Sequence, residues 1–187
     1  MSLRQAVNRE RINDFLRQVG ERYHKPARLY LVGGTSVVFE GYRQQTLDVD
    51  LVIEVSAGNH GDLIRVLQEI RLLLDVNVEE ASPGDFIPLP AGFAERHIFI
   101  GRYGQVDVFH FDLYSTALSK IERGRRQDMA DVIALLEHDR LEWNRLASLY
   151  HEILPLMGNK SLRQKPQDFA LNFGALEALW HSAGGTH

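Results

Sequence analysis

The stretch that decides the reading of this chain is Leu31-Val32-Gly33-Gly34-Thr35, followed after twelve residues by Asp48-Val49-Asp50-Leu51-Val52-Ile53-Glu54. A glycine pair at the end of an apolar run frees the backbone to approach a ligand closely. Where a helix opens at such a point, its first amide groups point outward and favour a phosphate. Side chains alternate along a strand, so Asp48 and Asp50 project to one face and Val49 to the other. Two carboxylates on one face of a hydrophobic strand repel each other unless a cation neutralises them. The plainer alternative is a βαβ turn whose aspartates end an edge strand. Against it, Leu51-Val52-Ile53 carries the apolar run past both acids.

Outward from that stretch, residues 27–32 read as a first strand, 36–40 as a short helix stopped near Gly41, and 47–55 as a second strand. Leu3, Val7, Ile12, Phe15, Leu16 and Val19 give a helical spacing over residues 3–23. Leu63, Val66, Leu67, Ile70 and Leu73 predict an amphipathic helix over 59–74. Residues 81–85 and 88–92 carry proline and glycine and read as loops flanking the mouth of a site. Residues 97–100 and 106–109 flank a glycine-containing turn and predict a hairpin. Beyond Asp112 the texture turns helical, over 113–123, 126–138, 142–157 and 167–182. The expected fold is mixed α/β (α+β): a mixed β-sheet flanked by helices over 1–111, with a helical region over 112–187 packed on it.

A chain of 187 residues can bury one sizeable core, and 44% hydrophobic with 25% charged residues is ordinary for a soluble globular protein. No cysteine is present, which excludes disulfides and thiolate metal sites and suits a reducing cytoplasm. The first residues are charged and amphipathic without a signal-peptide core, and no apolar run reaches membrane-span length. A cytoplasmic protein with no membrane partner is expected. The net charge of −4 argues against a strongly basic nucleic-acid binder. Arg123, Arg125 and Arg126 remain as a small local cluster.

Two-metal phosphoryl-transfer sites generally use a further carboxylate. Asp107, in the strand-like Gln105-Val-Asp-Val-Phe109, is the best candidate, with a structural ion pair as the plainer reading. Glu54, Asp85 and Asp112 are alternatives, and Asp112 also suits a helix N-cap. Farther on, Lys120 can reach a triphosphate as a point charge, and Arg123 or Arg126 can bind an oxygen pair. Asp128 and Asp131 share one helix face and can fix those cations or supply a base. The same spacing also makes a solvated helix surface with weak ion pairs, or an anchor between two helices.

None of the eight histidines forms a His-x-x-x-His pair, so a zinc site is not expected. His110 has the opposite strand parity to Asp107 and is read as a core or surface residue. Ser36 and Ser115 have no histidine–acid partner at local spacing, which argues against hydrolase chemistry. Trp143, Trp180 and the leucines at 146, 149, 154, 156, 176 and 179 read as core or as a partner surface.

Gly33-Gly34-Thr35 followed by Asp48-x-Asp50 resembles the signature of the nucleotidyltransferase superfamily typified by DNA polymerase beta. Thr35 departs from the serine of many members. Lys120, Arg123, Asp128 and Asp131 in turn resemble the helical motif of the abortive-infection toxin AbiEii and its nucleotidyltransferase relatives. The match covers residues 33–54 and 105–132, about a quarter of the chain. The resemblance implies that Gly33, Gly34 and Thr35 hold the phosphates of an NTP, with Lys120 and Arg123. It implies one or two Mg²⁺ ions on Asp48, Asp50 and Asp107, and a catalytic role for Lys120 and Asp128. It further implies an RNA or protein acceptor and a toxin held in check by an antitoxin partner, in a toxin–antitoxin or phage-defence pair. A catalytically silent nucleotide-binding or regulatory module is the main alternative, and a divalent-metal nuclease a third.

Overall fold

The computed structural model describes residues 6–158 and 165–185. The chain divides into two compact units, Met1–Ser82 with His97–Phe111, and Pro83–Arg96 with Asp112–His187. The segment 83–96, which takes in most of the stretches 81–85 and 88–92 expected as loops, groups with the helices in the second unit.

The first unit runs α1 (Arg9–Arg22), β1 (Ala27–Leu31), α2 (Gly33–Glu40), β2 (Asp48–Glu54), α3 (His60–Leu74), β3 (Asn77–Glu80), β4 (Ile98–Tyr103) and β5 (Val106–His110). Its five strands form one mixed sheet in the order β3-β2-β1-β5-β4. The pairs β1–β2 and β4–β5 are antiparallel, while β1–β5 and β2–β3 are parallel. α1 starts later than the apolar spacing suggests, because Asn8 accepts a hydrogen bond from the Arg11 amide at 3.0 Å and caps the helix. Val7 before it exchanges backbone bonds with Thr46 at 2.8 and 2.9 Å. β3, which the sequence reading did not contain, is a short edge strand with one apolar residue, Val78, and so carries little periodic signal.

Strand parity sorts the sheet into two faces. Leu29, Leu31, Val49, Leu51, Val106 and Val108 point to the core, where Ile12, Phe15, Leu16 and Val19 of α1 and Leu63, Val66, Leu67 and Ile70 of α3 are buried. The other parity puts Arg28, Tyr30, Asp48, Asp50, Glu54, Asp107 and Phe109 on the second face. α1 lies close against the β4–β5 turn. A Cβ on Gly20 would stand 2.6 Å from the Tyr103 carbonyl carbon, and one on Gly104 (φ +60°) would stand 2.3 Å from Gly20 O.

The second unit holds α4 (Leu113–Arg123), α5 (Arg126–Glu137), α6 (Trp143–Ile153) and α7 (Pro166–Ser182), with 3-10 turns at Pro83–Asp85, Ala94–Arg96 and Leu154–Leu156. α6 ends short of the expected residue 157 because Pro155 cannot continue an α-helix. Its core is aromatic: Phe173 stacks on Tyr150 at 3.7 Å and on Trp143 at 5.5 Å between centroids. Leu146, Leu149 and Leu176 are buried, whereas Leu156 and Leu179 are exposed. Among the described residues no helix is long and apolar enough to cross a membrane.

Alanine in place of a mid-helix glycine ordinarily stabilises by about 0.5–1 kcal/mol. At Gly20 the clash with the β4–β5 turn outweighs that gain, since overpacking costs about 1–3 kcal/mol. Gly20→Ala is therefore expected to lower stability by about 1–2 kcal/mol in urea unfolding, against the propensity trend.

Candidate functional site

The glycine pair sits inside the first turn of α2 rather than ahead of it. Gly33 has φ +57°, which favours glycine, and a Cβ there would stand 3.0 Å from Asp50 Oδ2. A Cβ on Gly34 would stand 2.7 Å from Thr46 Oγ1. α2 has no side-chain N-cap and no acidic residue in its first turn. Its first amides thus present the partial positive charge of a helix start beside the Asp50 carboxylate.

Thr35 fixes that arrangement. Its fully buried hydroxyl donates to Asp48 O at 3.1 Å and accepts from the Asp50 amide at 2.8 Å. The sequence reading gave Thr35 to the phosphates. The hydroxyl proton and one lone pair of Thr35 are engaged by β2, which ties the first turn of α2 to that strand. Asn77, which the sequence reading missed, lies across from Asp48 on β3. Its Nδ2 donates to Asp48 Oδ1 and to Glu79 Oε1, both at 2.8 Å. Only the parallel β2–β3 register reveals it.

Asp107 is not brought to Asp48 and Asp50. It shares their face but pairs in register with Arg28, whereas Asp50 O accepts from the Val32 amide. Four residues of strand separate those levels, about 13 Å. There Asp107 binds Arg102 through both oxygens at 2.6 and 2.9 Å, which holds its carboxyl below the usual carboxylate range. It lines a cavity of about 700 Å³ with Arg28, Glu54, Ser56, Arg102 and Gln105. The structural ion pair, the plainer reading of Asp107, is what the geometry displays.

The alternative acids are engaged elsewhere as well. Glu54 pairs with Arg28 at 3.1 Å and accepts from the Tyr30 hydroxyl, whose pKa burial and Glu54 push up to about 12. Asp112 caps α4 by accepting from the Tyr114 and Ser115 amides, and binds Arg96 at 2.8 Å. Asp85 lies in the 3-10 turn of the helical unit. Among the described residues no three His, Cys, Asp or Glu side chains gather into a metal-holding group. Asp48 and Asp50 nevertheless suit Mg²⁺, which takes one or two carboxylates and completes its shell with water and substrate phosphates.

Ser36, for which local spacing offered no partner, has one. Its Oγ lies 2.7 Å from His110 Nδ1, and His110 Nε2 lies 2.7 Å from Glu40 Oε1. Ser36 is fully buried on the core side, so no substrate reaches it as a nucleophile. Ser115 is bound by Asp112 at 2.6 Å.

In the helical unit, Gly124 ends α4 and lets α5 start two residues later, which sets the two helices side by side. Lys120 Nζ lies 2.6 Å from Asp131 Oδ2 and 3.2 Å from Asp128 Oδ1. Arg123 Nη2 lies 2.7 Å from Asp128 Oδ1, its guanidinium 5.4 Å from the Phe86 ring centroid. Gln127 donates to Asp131 Oδ1 at 3.0 Å. The group is no solvated helix surface: Lys120 is 1% exposed. With its ammonium enclosed by Asp128 and Asp131, Lys120 is not presented to a triphosphate as expected, whereas the Arg123 side chain is 28% exposed. Asp128 Oδ2 and Arg123 Nε are buried without a hydrogen-bond partner.

Thr35→Val is expected to destabilise by about 1–3 kcal/mol for each backbone group left unsatisfied, and to weaken Mn²⁺ binding. Thr35→Ser restores both in thermal unfolding and in titration by paramagnetic resonance. For an ion held by Asp48 and Asp50, Asp107→Asn is expected to leave Mn²⁺ affinity unchanged and Asp50→Asn to abolish it. Lys120→Met, which takes from the buried Asp131 its ammonium partner, is expected to cost about 3–5 kcal/mol in urea unfolding.

The model of a family described as a nucleotidyltransferase of unknown function (DUF6036) matches residues 9–179. No curated protein and no solved structure matches the chain. The family match runs from the start of α1 into α7 and takes in the glycine pair, Asp48, Asp50 and the Lys120 group. The chain belongs to this family of nucleotidyltransferases of unknown function.

Proposed function

We propose that the protein is a Mg²⁺-dependent nucleotidyltransferase that moves a nucleotide from an NTP to an RNA or protein acceptor. The observation that carries the reading is the Thr35 bridge, which locks the first turn of α2 to the strand bearing Asp48 and Asp50. Asp48 and Asp50 would hold the ion, and the Gly33 and Gly34 amides would face the phosphates. Bound Mg²⁺ supplies charge neutralisation at the α-phosphate and at the departing pyrophosphate. The acceptor hydroxyl oxygen forms a bond to the α-phosphorus, the bond from that phosphorus to the bridging oxygen breaks, and pyrophosphate leaves.

Each side chain then has its own part. Asn77 holds the Asp48 carboxylate at a fixed angle. In the helical unit the support is the motif itself, together with the unpartnered Asp128 Oδ2 and Arg123 Nε. The resemblance assigns Arg123 to phosphate oxygens and Asp128 to the hydroxyl proton, and within the helical unit the two are joined by their 2.7 Å ion pair. Lys120 keeps that pair in place. The same motif supports kinship with the AbiEii toxins and a toxin role restrained by an antitoxin partner, and the cysteine-free sequence supports work in a reducing cytoplasm.

One observation favours a second reading, a catalytically silent nucleotide-binding module: Asp107 stands away from Asp48 and Asp50. Incubation with Mg²⁺, each of four labelled NTPs, total RNA and protein extract separates the two. Transfer of label to RNA or to a protein band, reduced at least about 100-fold in Asp48→Asn/Asp50→Asn, is the expected result. Mg²⁺-dependent NTP binding without transfer would establish the silent module instead.

A further inference from the structure

Ser36 and Glu40 stand four residues apart on α2 and so share a helix face. The His110 ring spans the turn between them, with Nδ1 on Ser36 Oγ and Nε2 on Glu40 Oε1, both at 2.7 Å. His110 ends β5, in register with Leu31 at the end of β1. It therefore reaches α2 from the strand next to the one that feeds the glycine pair. A carboxylate at Nε2 favours the proton there, and a ring carrying its proton on Nε2 would accept from the Ser36 hydroxyl at Nδ1. Serine, histidine and glutamate in this arrangement look like a hydrolytic triad. With Ser36 0% and His110 2% exposed, the chain is closed to substrate and its effect is confined to what it holds.

What it holds is a helix of eight residues, too short to keep its position alone and uncapped by any side chain at its start. Two polar ties to the sheet keep it there: Thr35 to β2, and Ser36 with Glu40 through His110 to β5. The Thr35 tie fixes the start of the helix on one side. The His110 tie fixes its rotation, because it grips two successive turns of the same face.

We propose that His110 is a positioning residue of the nucleotide site: acting through Ser36 and Glu40, it orients α2 so that the Gly33 and Gly34 amides face the phosphates. The proposal rests on the nucleotide reading for what those amides bind, and on the structure alone for what orients them. Ser36→Ala cuts one arm, Glu40→Leu cuts the other, and Glu40→Gln keeps an acceptor at the same place.

The test measures two things on each folded variant: the Gly33 and Gly34 amide resonances in ¹⁵N-labelled protein without ligand, and the affinity for ATP with Mg²⁺. Ring ¹⁵N shifts in the parent are expected to show the Nε2–H tautomer. Ser36→Ala and Glu40→Leu are expected to move both glycine resonances and to weaken ATP about 10-fold or more, with cooperative unfolding retained. Glu40→Gln is expected to return both readouts towards the parent values. Unmoved glycine resonances in both cut variants, or moved resonances with unchanged ATP affinity, would overturn the proposal. A parent protein that binds no ATP would overturn the nucleotide reading instead, while the glycine resonances still decide whether His110 orients α2.

Discussion

One hydroxyl ties the chemistry of the sheet unit together. Thr35 is the third residue of α2, and by bonding both ways to the backbone of β2 it closes the corner between the end of β1 and the start of the Asp-x-Asp strand. The antiparallel β1–β2 pairing makes this possible, because it returns Asp50 across the end of β1, where its carbonyl meets the Val32 amide. Anion-seeking amides and cation-seeking carboxylates would drift apart on a flexible loop. Here a strand end, a helix start and one side chain determine their spacing. Each hydrogen bond is worth only about 1 kcal/mol net, yet leaving either backbone group unpaired in the core costs more.

How much of this was legible depended on how far apart in sequence the partners stand. The Gly33-Gly34 and Asp48-x-Asp50 elements are local, so periodicity and parity read them, and parity also set Asp107 and His110 on opposite faces. The height of Asp107 along the sheet was not legible. That is set by the parallel pairing of Ala27 with Val106, a register no local pattern encodes. The Thr35 bridge was illegible for the same reason, since its hydroxyl partners lie 13 and 15 residues away. His110 and Ser36 are 74 residues apart and met only in the structure. Asn77 lay hidden in a four-residue strand whose sequence carries almost no alternation.

Burial separates the ion pairs that matter energetically from those that do not. Arg102 and Asp107 make a two-point contact, but the arginine side chain is 67% exposed and such pairs contribute little to stability. Lys120, Asp128, Asp131 and Arg123 balance two positive with two negative charges, and Lys120 and both acids are buried. Removing one member strands the others away from water, so this group is costly to break even if its net contribution to the fold is modest. It is also the part of the helical unit where two buried polar atoms still have bonding capacity to offer.

The chain passes between the two units three times, after Ser82, after Arg96 and after Phe111. During synthesis this imposes an order. The segment 83–96 leaves the ribosome before the last two strands of the sheet, while the helices it belongs with follow only after residue 112. At about 5–20 residues per second, the wait until α7 is made lasts roughly 5–20 s. In the early part of that interval, before α4 is made, Pro83–Arg96 lacks the helix whose cap, Asp112, binds Arg96. A chain released after Phe111 would thus carry all five strands but none of the helices that Pro83–Arg96 groups with, leaving that strap to chaperones and proteases.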